Sequence, residues 1–250
     1  MKIEAQNKPY RALNEEIHRA VKAGETDIEL NSVCGQRYIG AGLNGGTRIT
    51  IRGVPGNDMA VFMDGTELIV RGNAQDAVGN TMNAGRVVIH GNAGDVLGYS
   101  MRGGELFVKG NVGYRAGIHM KAYENRSPSI VIGGQAGDYL GEYMAGGTLV
   151  VLGLGDNSES NPHYWEGAVG EHVGTGMHGG VIYVRGKIEP WQIAVEVGSE
   201  PVDEEDWESL QMKIKRFSQE FEMGDLQFAP DEFVKLQPVT TRPYGRLYAY

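Results

Sequence analysis

The side chains able to act as nucleophiles, bases or metal ligands are few along this 250-residue chain, and they are scattered. The histidines are His18, His90, His119, His163, His172 and His178. The pair nearest in sequence, His172 and His178, has neither the one-turn helical spacing nor the Cys or acidic companion of a zinc site. His90, flanked in the repeat described below by Arg71 and Lys109, reads as a surface residue. The single cysteine, Cys34, reads as a small buried residue near the start of the repeat rather than as a nucleophile. Standing alone, it excludes an internal disulfide and fits a reducing compartment. Asp76, Asp95 and Asp138 recur at one position of the repeat. Glycoside hydrolysis needs two carboxylates about 5–9.5 Å apart, and Asp76/Asp95 is the only consecutive pair because Tyr114 interrupts the series. The favoured reading of these aspartates is turn structure, with the side chain bonding its own backbone. The run Gly91-Asn92-Ala93-Gly94-Asp95-Val96-Leu97-Gly98 is not a dinucleotide fingerprint, because no helix follows and the pattern recurs. The sequence therefore assigns no catalytic, cofactor-binding or metal-binding residue.

What would position such residues is a repeat. Gly53, Gly72, Gly91 and Gly110 fall 19 residues apart; Gly134, Gly153 and Gly186 continue the series if five extra residues and then 14 extra residues are inserted. A fixed period of this length marks a solenoid. Four and two residues before each glycine stand Ile49/Ile51, Leu68/Val70, Val87/Ile89, Leu106/Val108, Ile130/Ile132, Leu149/Val151 and Ile182/Val184. A spacing of two places both on one face of a strand. A further column holds Asn44, Met63, Met82, Met101, Met120, Met144 and Met177, and Met suits irregular gaps in a core. Stacked strands with like residues on like predict an all-β fold, a single-stranded parallel β-helix of about seven coils. It is expected to be right-handed, as parallel crossovers are. The glycines, and the Asn73, Asn92 and Asn111 that follow them, are expected to supply left-handed corner geometry.

The flanking segments read as caps. A helix is expected from Asn14 to Gly24, with Asn14 as N-cap, followed by an alternating strand at Asp27–Leu30. Val202 to Glu222 carries Trp207, Leu210, Ile214, Phe217 and Phe221 at steps of three and four, the stripe of an amphipathic helix, and is expected to cover the last coils. The resulting organisation is 1–35 cap, 36–187 β-helix, 188–250 helix and docking tail, the tail ending with Tyr244, Tyr248 and Tyr250. The outward column Thr50, Ile69, Val88, Phe107, Val131, Val150 and Tyr183 is too apolar for a solvated face. Charged stems flank it in the first four coils and are expected to shield it there. The fifth and sixth coils have only Ser129/Gly133 and Thr148/Leu152, so another segment or chain should cover them. The two insertions, 121–128 and 156–167, are expected to form loops, the second presenting Tyr164 and Trp165.

A net charge of −9 without a long basic run argues against nucleic acid and anionic membrane as partners. The opening MKIEAQNKPYRALNEE lacks a signal-peptide core, and a cytoplasmic location is expected.

The pattern Gly-x-x-Gly-x-x-x-Gly is complete at Gly91/Gly94/Gly98, Gly110/Gly113/Gly117 and Gly134/Gly137/Gly141, and it is preceded by the lead-in NSVCGQRYIG at 31–40. These residues resemble the GXGXG domain of glutamate synthase, the C-terminal β-helix of the large subunit, here in its stand-alone form. The first two coils depart from the pattern, with Ala60 and Gln75 in place of glycine. The resemblance implies a non-catalytic scaffold subunit of a glutamate-forming complex. Its partners would be a glutamine amidotransferase subunit and a synthase subunit carrying FMN and iron–sulfur clusters, with further copies of itself as another partner and no cofactor in this chain. Similar domains serve in formylmethanofuran dehydrogenase and methylamine-glutamate methyltransferase complexes. The alternative of another class is a self-contained carbohydrate-active β-helix.

Overall fold

The computed structural model describes residues 1–155 and 167–239. Strands β3 (Arg48–Val54), β4 (Asp64–Val70), β5 (Ala84–Ile89), β6 (Glu105–Val108), β7 (Ser129–Ile132), β8 (Ala145–Val151) and β9 (Gly179–Arg185) pair in parallel, each with the next. The register places Ile49, Leu68, Val87, Leu106, Ile130, Leu149 and Ile182 in one line. These residues and their partners two positions on are all fully buried. The thioether column is equally buried from Met63 to Met177, but its first place belongs to Leu43 rather than to the exposed Asn44. Leu43 O accepts from Asp64 N as Met63 O accepts from Asn83 N, so the first coil holds one extra residue before its strand. A second, thinner parallel ladder joins Ala93, Val112, Ala136 and Val169 on another side of the coil.

Stacking begins before the repeat is legible. Strand β2 (Asp27–Cys34) pairs in parallel with β3, putting Ile28 and Leu30 under Ile49 and Ile51, and β1 (Lys2–Glu4) adds Ile3 beside Leu30. Helix α1 (Tyr10–Lys22) closes this end with Leu13, Ile17 and Ala20 buried. Its N-cap is Pro9 rather than Asn14, since proline presets the φ of a helix start. Asn14 instead lies one turn in, where its amide donates to Tyr10 O and Arg37 O, both at 2.8 Å, and ties the helix to the first coil. Gly24 ends the helix with φ +93°, as the sequence suggests.

Helix α2 (Glu204–Phe221), capped by Asp203 accepting from Asp206 N at 2.9 Å, lies along the flank of the rod rather than over its end. Leu210, Ile214, Phe217 and Phe221 form a second core with Val88, Phe107, Val131, Val150 and Tyr183. The outward column is thus covered from the third coil to the seventh, and the charged flanks there tether the helix instead of shielding the column. Arg86 pairs with Glu220 at 2.7 Å and Arg216 with Glu105 at 2.8 Å. Gly133 has no room for a side chain: a Cβ there would collide with Lys109 O of the coil below and lie 2.6 Å from Phe217 Cζ of the helix. The far end is closed by strand β11 (Phe233–Pro238), antiparallel to β9, and β10 (Val197–Pro201), antiparallel to β11. The part of the tail within the described residues therefore docks on its own rod.

Tyr183 Oη donates to Asp206 at 2.5 Å, and Lys235 Nζ meets the other oxygen of that carboxylate at 2.7 Å, joining β9, α2 and β11. Burial, then the Asp206 bond, pushes the Tyr183 phenol far above its ordinary value and keeps it a donor. Phe217→Ala should cost about 3–5 kcal/mol. Denaturant unfolding followed by near-UV circular dichroism would measure it, with the parallel sheet retained in the far-UV spectrum before the transition.

Candidate functional site

The corners between strands carry the side chains that are not core. Each coil turns through alternate left-handed residues: Asp58/Ala60/Phe62, Ala77/Gly79/Thr81, Val96/Gly98/Ser100, Arg115/Gly117/His119, Tyr139/Gly141/Tyr143 and His172/Gly174/Gly176 all have φ between +52° and +74°. The middle residue points inward: a Cβ at Gly117 would lie 2.7 Å from Leu149 Cδ1, and one at Gly141 2.6 Å from Ile182 Cδ1. The outer two project outward, and each non-glycine residue there costs roughly 1–2 kcal/mol of backbone strain.

In the later coils those outer positions hold rings. His119 stacks on Tyr143 with centroids 5.2 Å apart, and Tyr99 meets the His119 ring edge-on at 5.9 Å. A Cβ at Gly176 would collide with the Tyr143 ring, so that glycine is the far wall of the stack. Tyr139 stacks on His172 at 4.8 Å, and the Arg115 guanidinium lies 4.6 Å from the Tyr139 centroid on the preceding coil. Arg115 also pairs with Glu142 at 2.6 Å, so the corner presents rigid rings with its charge already compensated. At the same places the earlier coils hold Asp58, Phe62, Ala77, Thr81, Val96 and Ser100, a single exposed ring with no stacked partner among the ring contacts of the described residues.

Just before the corners that begin at Ala77, Val96, Arg115 and Tyr139 run two rails of side-chain bonds, each present in three of these four coils. Asn73, Asn92 and Asn111 each accept, through Oδ1, the N–H of the residue one coil above: Asn92, Asn111 and Gln135, at 2.8–2.9 Å. Asp76, Asp95 and Asp138 do the same for Asp95, Tyr114 and Glu171, at 2.8–3.0 Å. The glycines of the motif serve these bonds. A Cβ at Gly91, Gly110 or Gly134 would collide with an Asn Oδ1, and one at Gly94, Gly113 or Gly170 with an Asp Oδ1. None of these six has positive φ, so their role is close approach; of the ladder glycines only Gly53, Gly153 and Gly186 show the expected left-handed geometry, which otherwise falls on the corner residues. The aspartates likewise bond the next coil's backbone rather than their own. The sequence signal for this lacing is that each of these six Asn and Asp residues is followed by glycine 18 residues on, or 18 plus the length of the insertion.

The other singled-out residues are dispersed. Cys34 is exposed, not buried. His18 Nε2 lies 3.1 Å from Ala41 O at the first end, and His178 Nδ1 3.3 Å from Gly176 O. The 121–128 insertion folds back, Arg126 reaching Asp64 Oδ1 and Asn83 O, both at 3.4 Å. The 156–166 segment with His163, Tyr164 and Trp165, and the tail with Tyr244, Tyr248 and Tyr250, lie outside the described residues. Among the described residues no three His, Cys, Asp or Glu side chains gather as metal ligands, and no helix is long and apolar enough to cross a membrane.

Coils of one strand each, laced by side-chain bonds and wrapped by a helix, define a parallel β-solenoid. A family model described as GXGXG motif matches residues 5–236, and the chain belongs to that family. It is 43 % identical over 253 residues to the uncharacterized protein MJ1350 of Methanocaldococcus jannaschii, covering 98 % of this chain and 95 % of that one. Among solved structures it is similar to a chain of the formyltransferase/hydrolase complex (FhcABCD) from Methylorubrum extorquens, determined in complex with methylofuran. The TM-score is 0.62 at 20 % identity, covering 89 % of this chain and 86 % of that chain. At that identity the likeness shows the fold.

His90, at the edge of α2, has its ring edge-on to Phe221 at 5.1 Å, and Arg71 Nη1 lies 2.8 Å from its Nε2. Burial, then Arg71 and Lys109, hold its pKa below the ordinary imidazole value, with Glu222 opposing. As pH falls, the unfolded chain therefore takes up this proton before the folded one. The contribution of neutral His90 is complete above about pH 6.5 and is lost as pH falls through the lower folded value. Between about pH 7.5 and 5.5 the wild-type Tm should fall further than that of His90→Gln, as thermal melts at both pH values would record.

Proposed function

We propose that this chain is the structural subunit of a glutamine amidotransfer complex of the glutamate synthase type. In this reading glutamine hydrolysis belongs to an amidotransferase subunit, and FMN and iron–sulfur clusters belong to a synthase subunit. The β-solenoid holds the two in register in the cytoplasm, where a free exposed thiol such as Cys34 stays reduced. The observation that carries the reading is the ring-bearing corner of the later coils. Its side chains are stacked, its Arg115–Glu142 ion pair is internal, and its backbone is strained at Arg115, His119, Tyr139, Tyr143 and His172. Rigid tyrosine and arginine presented at low entropic cost are typical of anchoring residues in interfaces. Exposed Tyr99 and Tyr143 extend the surface along the rod.

A second reading is favoured by the likeness to a chain of a formyltransferase/hydrolase complex: the same scaffold role in a formyl-transfer assembly, such as a formylmethanofuran dehydrogenase. Reconstitution separates the two. The purified chain, mixed with amidotransferase and FMN-containing synthase subunits from its own source, should co-elute with them. Glutamate should form from 2-oxoglutarate and glutamine only with the partners present. Tyr139→Ala with Tyr143→Ala should weaken assembly roughly 10- to 100-fold. Co-elution with formyl-transfer subunits instead would establish the second reading, and turnover by the chain alone would refute both.

A further inference from the structure

The two rails do the same inward work with different residues. Each position needs one oxygen, one methylene from the backbone, to accept the N–H of the coil above. Asn and Asp supply that oxygen equally well. Yet the first rail is Asn at 73, 92 and 111, and the second is Asp at 76, 95 and 138. The inward bonds do not explain this sorting. The difference lies in the atom each side chain leaves outward: an amide Nδ2 on one rail, a carboxylate Oδ2 on the other. Among the described residues, the Nδ2 groups of Asn73, Asn92 and Asn111 and the Oδ2 atoms of Asp76 and Asp95 have no protein partner.

Between these rails runs a surface groove of ≈ 380 Å³, floored by Ala74 and Ala93 and ended by Tyr114. Tyr114 stands where the Asp rail would continue and is 47 % exposed. The groove thus offers the amides of Asn73, Asn92 and Asn111 along one side, repeating once per coil at about 4.8 Å, the carboxylate of Asp95 on the other, and an aromatic face at its end.

That pattern selects a ligand class. An anion would use the amides but be repelled by the carboxylates. A cation would need the carboxylates alone and would leave the uniform amide rail without a purpose. An extended peptide presents like groups to one side every ~6.6 Å, out of step with the coils. A hydroxyl donates and accepts at once, so neighbouring hydroxyls on one ligand can take a hydrogen bond from Asn and give one to Asp in the same coil. A sugar ring also has an apolar C–H face suited to an aromatic ring. We propose that this groove is a binding site for a neutral oligosaccharide, with its hydroxyls bridging the two rails and one ring packed on Tyr114. It is a binding site, with no bond made or broken. It does not depend on which complex the solenoid scaffolds.

Because one oxygen of each rail residue is structural and the other atom faces the ligand, isosteric exchange separates the two roles. Asn92→Asp and Asp95→Asn keep the inward oxygen and swap only the outward atom. The full chain, labelled with nitrogen-15, is titrated with maltotetraose and cellotetraose, following the side-chain amide signals of Asn73, Asn92 and Asn111. Saturable shifts with a millimolar dissociation constant are expected for at least one of them. Asn92→Asp, Asp95→Asn and Tyr114→Ala should each weaken binding about tenfold or more while leaving the thermal midpoint near that of the wild type. Tyr114→Ala, an exposed change, remains informative even where an exchange on the rails disturbs folding. The proposal is overturned if neither tetrasaccharide shifts these signals, or if the folded variants bind as well as the wild type. It is equally overturned if 1,4-diaminobutane binds in place of the sugars and Asn92→Asp strengthens that binding, the behaviour of a cation site. Failure here leaves the reconstitution experiment untouched.

Discussion

Each coil lies one backbone hydrogen bond from the next, and that spacing governs everything else in the molecule. A residue's nearest neighbour is its own counterpart 19, 24 or 33 positions along the chain. Like must therefore tolerate like. Aliphatic side chains do so readily, and so do unbranched thioethers, which fill Met63 to Met177 without a gap. Identical charges repel when stacked, a cost carried at Asp76/Asp95 and avoided on the first flank. The first flank accordingly alternates Arg48, Glu67 and Arg86, with Glu67 paired to both arginines. Those pairings outweigh burial and hold the Glu67 carboxyl below its ordinary value.

The same spacing explains why glycine is so frequent. A side chain that reaches up to the coil above takes the volume that a Cβ would occupy there. Asn73 under Gly91 and Asp76 under Gly94 are one arrangement repeated, in which a polar reach in one coil requires a bare backbone in the next. Left-handed φ is a separate demand, met at the centre of each corner by Gly79, Gly98, Gly117 and Gly141. The motif is therefore the superposition of two constraints on one period.

How much of this was legible in the sequence follows from which constraints are local. The columns before each ladder glycine were readable because a solenoid turns long-range contacts into a short, fixed offset. The cover of the fifth and sixth coils was readable from the missing charges at Ser129/Gly133 and Thr148/Leu152. The wider reach of α2 was not. Arg86 and Glu105 look like solvated flanks until Glu220 and Arg216, more than a hundred residues away, are known to meet them. Asn14 looked like a helix cap because Asn commonly is one, whereas its partner, Arg37 O, is set by tertiary packing. The rails were missed for a similar reason. Asn and Asp beside glycine suggest turns, and only the stacking shows that their oxygens belong to the neighbouring coil.

The closed interior has a consequence for any assembly built on this rod. From β3 to β9 the axis is filled by aliphatic and sulfur-bearing side chains with no exposed surface, and interiors so packed leave no room for a passing molecule. Nothing can be piped lengthwise from one end to the other. What the solenoid can hand between proteins bound to it is distance and orientation, and any diffusing intermediate has to travel over its outside.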